Sequence, residues 1–338
     1  MQNKIKTHGN TAVKALLICA GFTLLYLLIA GSSTLWDRDE PRYARVTAEM
    51  VESGNYLVPT FNGKVWFDKP IMLYWLMSVP VRLLGPSEIA CRFAGVMGTA
   101  ATLLLTFFIG KKLFDAKVAL WAEIILGTTL LMLFVGSSAL VDAIALPFIV
   151  GAMAIFICRQ GEKIRAFDAG AIGVLIGLGM LAKGPLGLLP VFVMIVALWF
   201  GRENIGGFFR NFLWVCLAVV IAAGIFLLWA IPANRAADGE LFRVFFGKHI
   251  VGRALSPMEG HGGNFLLYLP YYPAIMVAGF FPWVIFLPGA FSASLGKRIG
   301  NAGTRNILLS WIIVTVVLMT IAATKLPHYI LFAWPRWQ

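Results

Sequence analysis

Charge is scarce in this chain. Only 13% of its 338 residues are Asp, Glu, Lys or Arg, while 59% are apolar and mean hydropathy is +0.83. A soluble domain carries about twice that share of charge, so a cytosolic globule is excluded, as are disordered, collagen-like and coiled-coil chains. Cysteine is equally sparse: Cys19, Cys91, Cys158 and Cys216 stand far apart, mostly within apolar stretches, and no CxxC occurs. That excludes a disulfide framework and a zinc knuckle and leaves them as packing residues. The four histidines show no HxxH spacing, so local sequence supplies no metal motif. No nucleic-acid-binding motif, internal repeat or low-complexity linker is present. Gly177-Leu178-Gly179 lies inside an apolar run and reads as helix-packing glycines, not a nucleotide loop.

Long apolar runs are what the sequence has instead, and they predict an all-α polytopic membrane protein. Nine spans are expected, at about 15–34, 89–110, 118–139, 143–158, 168–182, 186–200, 211–231, 265–288 and 306–324, several of them short enough to pair as a re-entrant hairpin. The first run follows Lys4, Lys6 and Lys14, and Leu28-Ile29-Ala30 makes a poor cleavage site. An uncleaved anchor is therefore expected.

The net charge of +12 is distributed unevenly. With the N-terminus cytoplasmic, the five short inside segments (1–14, 111–117, 159–168, 201–210 and 296–306) hold 14 basic and 4 acidic residues. The outside segments hold as many basic residues but 11 acidic ones, spread over two long loops. The positive-inside rule thus favours this orientation.

Those two loops, 35–88 and 232–264, are where function is expected to concentrate. Residues 41–53 predict a helix that starts at Pro41 and ends before Gly54, with Tyr43, Val46, Thr47 and Met50 on one face lying along the membrane surface. The run 70–84 predicts a second interfacial helix, its Trp and Tyr at headgroup level.

Chemistry-bearing residues gather at the outer ends. Asp37-Arg38-Asp39-Glu40-Pro41-Arg42-Tyr43 packs three carboxylates and two guanidiniums behind the first span. It can supply a general base, a metal ligand and anion contacts, or equally cap a helix through Asp39 or Glu40. Asp142 lies at the outer junction of the third and fourth spans, where an acid embedded in apolar sequence is functional by default and a helix cap otherwise. Lys69, in Trp66-Phe67-Asp68-Lys69-Pro70, suits a lipid-linked phosphate or a headgroup. Lys183 and Lys325 also emerge at outer span ends, to contact phosphate or to snorkel. His249, His261 and His328 complete the set. Charge topology alone brings Asp39, Lys69, Asp142, His249 and Tyr329 to one face. A transporter tends to keep ionisable groups near mid-span between broken helices, so a catalytic cleft fits better.

The sequence DEPRYA after the first span, FDKP some thirty residues on, the Asp142 junction and KLPHY late in the chain resemble the bacterial lipid-to-lipid glycosyltransferases. The nearest in kind are the aminoarabinose transferases that modify lipid A, akin to protein O-mannosyltransferases of the GT-C fold. The resemblance runs from residue 15 to about 331. It implies an inverting transferase of the inner membrane that takes a sugar from undecaprenyl phosphate to lipid A or another envelope acceptor on the periplasmic face. Membrane lipids are its surroundings, and nucleic acid is not a partner. By motif position, Asp39 and Asp142 match the catalytic acids, and Lys69, Tyr329, Arg42 and Lys183 match groups near the donor phosphate. Asp39 and His249 match a metal position, which makes a divalent ion the candidate cofactor and a nucleotide none. The alternatives are a flippase for a lipid-linked sugar, and an inactive fragment.

Two departures from the family stand out. Trp66 replaces a frequent Tyr and removes a hydroxyl expected on the donor. Relatives continue past residue 331 into further spans and a periplasmic domain, so 1–331 is expected to be the transferase domain, 332–338 an atypical tail, and the chain truncated.

Overall fold

The computed structural model describes residues 2–36, 38–202, 204–244, 247, 270–295, 301–321 and 327–333. Asp37, His249, His261 and Lys325, with most of the second long loop, lie outside them.

Helix α1 (Gln2–Gly31) leads into a loop region that carries α2 (Asp39–Ser53), a two-stranded antiparallel hairpin β1 (Thr60–Phe61) and β2 (Lys64–Val65), and α3 (Met72–Leu84). There follow α4 (Glu88–Leu113), α5 (Ala116–Thr128), α6 (Leu130–Gly136), α7 (Val141–Cys158), α8 (Ala166–Lys183), α9 (Leu189–Phe200) and α10 (Ile205–Ala236). After the undescribed stretch come α11 (Tyr271–Gly279), α12 (Leu287–Leu295), α13 (Ala302–Ile321) and a final 3-10 turn, Pro327–Ala333.

Each segment expected from apolar sequence is met by a helix or a bent helix pair, and this is a multi-span membrane protein. By length and composition six stretches can cross a membrane, or eight when the bent pairs count: α5 with α6, bent by 68°, and Tyr271–Gly279 with Trp283–Ala290, bent by 113°. One of the six, the 35-residue stretch Ala166–Phe200, runs from the Arg159–Asp168 pair to the Asp142–Lys183 pair and then back, since Phe200 O accepts from Asn306 near the Gln160–Asn301 contact. Gly187 in the 3-10 turn Gly184–Leu188 sits so close to the backbone of Gly179 and Met180 that a Cβ there would overlap it. Only glycine allows that approach, and it separates α8 from α9 as two legs.

Contacts at the loop ends fix which helix ends lie together. Arg92, near the start of α4, donates to the Ala30 carbonyl near the end of α1 at 2.7 Å. Lys183 at the end of α8 meets Asp142 in the first turn of α7, and the Trp229 indole of α10 donates to Leu57 O at 3.0 Å. At the opposite end, the Asn306 amide donates to Phe200 O at 3.2 Å, and Arg159 pairs with Asp168 at 2.9 Å. The legs therefore alternate in direction, and the two loop systems are segregated as the charge pattern requires.

The loop helices depart from expectation. Helix α2 starts at Asp39, two residues before Pro41, and ends at Gly54, whose φ of 68° is the left-handed geometry glycine tolerates. Its Tyr43, Val46, Thr47 and Met50 do share one face, but all four are buried against α3 and the bundle. In α3, Tyr74 is fully buried and the Trp75 indole donates to Tyr56 O at 2.7 Å, so both rings are engaged by protein. A face that reads as lipid-seeking is satisfied equally by protein, because periodicity reports apolarity and not the identity of what covers it.

Candidate active site

Glu40 and Arg92 anchor the site end. Both are almost fully buried and pair at 2.6 Å. Arg92 uses all its donor groups: Nε and Nη2 on the Glu40 carboxylate, Nη1 on Ala30 O and Ser33 O, and Nη2 also on Thr34 O. The guanidinium thereby satisfies carbonyls that the end of α1 leaves open. Glu40 in turn accepts the backbone N–H of Trp36 at 3.0 Å and of Ala139 at 2.6 Å. The expected cap of α2 is therefore not made: its N-cap position is Arg38, with no side-chain cap, and the N–H groups that Glu40 accepts belong to the segment before α2 and to the α6–α7 junction. One ion pair thus ties the start of α2, the end of α1, the start of α4 and the junction that leads to Asp142.

On one side of this hub lie Asp39, Tyr43, Asp68 and Lys69. Asp39 is half-buried in the first turn of α2, with Arg42 half-buried on the same helix. Burial, then the nearby Asp39 and Asp68 carboxylates, push the Tyr43 hydroxyl well above its ordinary pKa, and Asp39 is its hydrogen-bond partner. Tyr43 therefore remains a protonated donor to Asp39 at neutral pH. Lys69 pairs with Asp68 at 2.7 Å, and its Nζ stands 5.8 Å from the centroid of the Tyr43 ring.

The Lys69 segment is held from behind. Glu49 of α2 accepts the Thr60 hydroxyl at 2.7 Å and the backbone N–H of Asn62 and Gly63 at 2.7 and 3.2 Å, clamping the hairpin turn. Burial opposes ionisation of Glu49, but these donors outweigh it and hold its pKa below the ordinary value. Trp66, where the resemblance implies a frequent Tyr, still offers a polar atom: its buried indole N–H faces the buried Tyr74 hydroxyl.

On the other side are Asp142, Lys183 and Tyr329. Asp142 and Lys183 form a mostly buried ion pair. The Lys183 ammonium lies 4.5 Å from the Tyr329 ring centroid and 5.1 Å from that of Phe332. The final 3-10 turn packs on α6 and α7, which brings Tyr329 there, and Phe332, in the expected tail, is buried in the same turn. Sequence spacing could not show that Asp142 and Lys183 form a pair.

Of the sequence-derived candidates, then, Asp39, Arg42 and Lys69 form one group and Asp142, Lys183 and Tyr329 another, both at the end of the bundle joined by Glu40. Sequence spacing gives Arg92 no role and gives Tyr43 only a place on the apolar face of α2. The signal for Arg92 is a lone cation near the start of an apolar span, five residues past the capping Ser87 that accepts Ala90 N–H. No three His, Cys, Asp or Glu side chains come together to hold a metal among the described residues. The expected set is represented there by Asp39 alone.

Comparison with known proteins agrees with this architecture. Residues 68–229 match the family model described as dolichyl-phosphate-mannose-protein mannosyltransferase. The chain is 33% identical over 325 residues to an undecaprenyl phosphate-alpha-4-amino-4-deoxy-L-arabinose arabinosyl transferase of Enterobacter sp. (strain 638), covering 95% of this chain and 57% of that protein. A namesake from Pectobacterium carotovorum is 30% identical over 327 residues, again covering 57% of the relative. The chain thus spans little more than half the length of these relatives. Among solved structures, ArnT from Cupriavidus metallidurans bound to undecaprenyl phosphate superposes with a TM-score of 0.79 at 23% identity, over 95% of this chain and 58% of that one. The archaeal oligosaccharyltransferase AglB from Archaeoglobus fulgidus gives 0.63 at 13% identity, over 99% and 50%. By fold this chain is a GT-C-like membrane protein, and over nearly its whole length its sequence is similar to the aminoarabinose arabinosyl transferases.

Proposed function

We propose that the chain belongs to an inverting glycosyltransferase that moves a sugar from an undecaprenyl phosphate carrier to lipid A on the periplasmic face of the inner membrane. The observation that carries this reading is the convergence of two lysines, each beside a carboxylate and an aromatic ring, with Asp39 at one end of the bundle. The relatives' names specify a 4-amino-4-deoxy-L-arabinose carried on undecaprenyl phosphate, so the same donor is proposed here. The charge distribution supports a cytoplasmic N-terminus, which turns the Asp39 end outward.

In the proposed reaction an acceptor oxygen attacks the anomeric carbon from the face opposite the carrier. The bond from that carbon to the phosphate oxygen breaks, and its electron pair leaves with the polyprenyl phosphate. Lys69 and Lys183, with the Tyr329 hydroxyl, are placed to stabilise the charge that grows on the departing oxygen. Arg42 adds a guanidinium suited to the phosphate's outer oxygens. Both lysines are already ion-paired, so the phosphate competes with Asp68 and Asp142 for them. Asp142 accordingly serves as the counter-ion that holds Lys183 in place, a more specific role than general catalytic acid. Asp39 takes the acceptor proton when the acceptor is a hydroxyl, and orients the acceptor when it is a phosphate oxygen that is already ionised. Tyr43, donating to Asp39, fixes the carboxylate's direction. A divalent ion at Asp39 and His249 is kept as a proposal outside this sequence of steps.

Mass spectrometry of lipid A, from cells carrying the intact locus and from cells carrying Asp39→Asn, tests the reading. A sugar-sized mass present with the former and absent with the latter is expected. Unmodified lipid A in both, with the protein present in the membrane, overturns lipid A as the acceptor. Carrier translocation without a glycosidic product identifies a transporter instead.

A further inference from the structure

The end of the bundle remote from Asp39 carries a feature that the transfer reaction does not use. Helices α1 and α5 run in the same direction from that end, and they meet where Ala15 packs against Ala119 and the Phe107 ring of α4. Outside this contact the two helices enclose an open groove of about 350 Å³.

Each helix contributes the same ladder. On α1, Lys14 is followed along the groove by Leu17 and Ile18; on α5, Lys117 is followed by Leu120 and Ile124. Spacings of three, four and seven residues place these side chains on one helical face, so each wall has a cation at its outer end and aliphatic groups running inward. Seven residues of α5 advance about 10 Å, the depth of the upper part of an acyl chain. Trp121, half exposed beside Lys117, adds an amphipathic ring at the level where polar and apolar surroundings meet. No acidic side chain lines the groove among the described residues. Asp115, two residues before Lys117, is turned to the backbone N–H groups of Lys117 and Val118 at 2.7 and 2.9 Å, and Glu123, beside Ile124, is fully buried and does not line the groove. Lysine stems lie along such walls while their ammonium groups reach for the headgroup layer.

We propose that this groove is a binding site for an anionic glycerophospholipid. Its phosphate would be held between Lys14 and Lys117, and an acyl chain would lie over Leu17, Ile18, Leu120 and Ile124. Two cations with no carboxylate between them complement a headgroup of net negative charge. They favour it over a zwitterionic one, whose ammonium meets no partner there. The occupant belongs to the leaflet at the N-terminal end of α1, so this site is separate from the one proposed for the undecaprenyl phosphate donor.

Native mass spectrometry of the full chain, released from nanodiscs of equal phosphatidylglycerol and phosphatidylethanolamine, tests the inference without reference to catalysis. Phosphatidylglycerol is expected to be the lipid retained. Each lysine near a membrane surface changes binding on the order of fivefold, so Lys14→Gln with Lys117→Gln is expected to lower retention by more than tenfold. The equally charged change Lys111→Gln with Lys112→Gln, outside the groove, is expected to leave it unaltered. Leu17→Trp, which fills the groove and keeps both lysines, is expected to displace the lipid. Equal retention of the two lipids, equal loss in the Lys111/Lys112 variant, or undiminished retention in Leu17→Trp would each overturn the proposal.

Discussion

Arg92 holds Glu40 at 2.6 Å inside the protein while its remaining N–H groups close the carbonyls at the end of α1. A buried pair of this kind adds little over a well-packed apolar pair, yet losing one member leaves the other uncompensated. Arg92→Gln is therefore expected to cost about 3–5 kcal/mol, read as a lowered thermal midpoint in detergent. Glu40→Gln should cost a comparable amount, since Trp36 and Ala139 donate to different carboxylate oxygens and an amide keeps only one of them as an acceptor. The double variant is expected to lose less than the sum of the two, and strict additivity would show that the pair is not coupled.

Lys183 offers a catalytic test. If it stabilises the leaving phosphate, Lys183→Gln should lower kcat on the order of 10²–10³-fold, as removal of one well-placed donor does elsewhere. Lys183→Arg should recover part of that, because it keeps charge against Asp142 and the Tyr329 ring. Single-turnover transfer in proteoliposomes separates the chemical step from donor binding. A variant altered only in KM would place Lys183 in donor recognition alone.

The buried tyrosines predict a dependence on pH. Burial, then Asp68 and Asp39, raise the Tyr74 hydroxyl well above its ordinary value of 10.0. The folded state then holds this proton after the unfolded chain has lost it. Stability present below about pH 10 is thus lost progressively as pH rises towards the folded value. Tyr74→Phe removes that dependence together with a buried hydroxyl whose polar neighbour is the Trp66 indole. The variant should be as stable as the parent at pH 7 and unfold at higher pH, followed by tryptophan fluorescence during alkaline titration.

Glu123 stands fully buried in α5, and both its carboxylate oxygens lack hydrogen-bond partners among the described residues. A polar group of this kind costs about 1–3 kcal/mol relative to an apolar one that fills the same space. Glu123→Leu is expected to raise the thermal midpoint, and a lowered midpoint would mean that the carboxylate has a favourable partner in the folded protein.

How far the sequence foretold the molecule depends on the kind of signal. Helix positions followed from apolar run length, which is set by the membrane itself and is local in the chain. Asp39, Lys69, Asp142 and Tyr329 were found through motifs and Lys183 through its place at a span end; the two groups they form follow the alternating direction of the legs. What was not legible lies between elements. Nothing local distinguishes Arg92, which seals α1 and binds Glu40, from an arginine at a membrane boundary. The face of α2 was read correctly, yet its cover turned out to be α3, because one stripe of apolar residues suits either solvent. The bend between α5 and α6 and the reversal at Gly187 depend on close approaches that composition does not encode.

The contacts at the site end also have an order in time. Glu40 can find Arg92 once α4 has left the ribosome, Asp142 can find Lys183 only after α8, and Lys183 gains the Tyr329 ring last of all. As domains fold from the N-terminus during synthesis, the group around Lys69 can assemble early, and the group around Lys183 waits for the segment that carries Tyr329. An insertion intermediate halted before Tyr329 would hold a locked first half and an open second one.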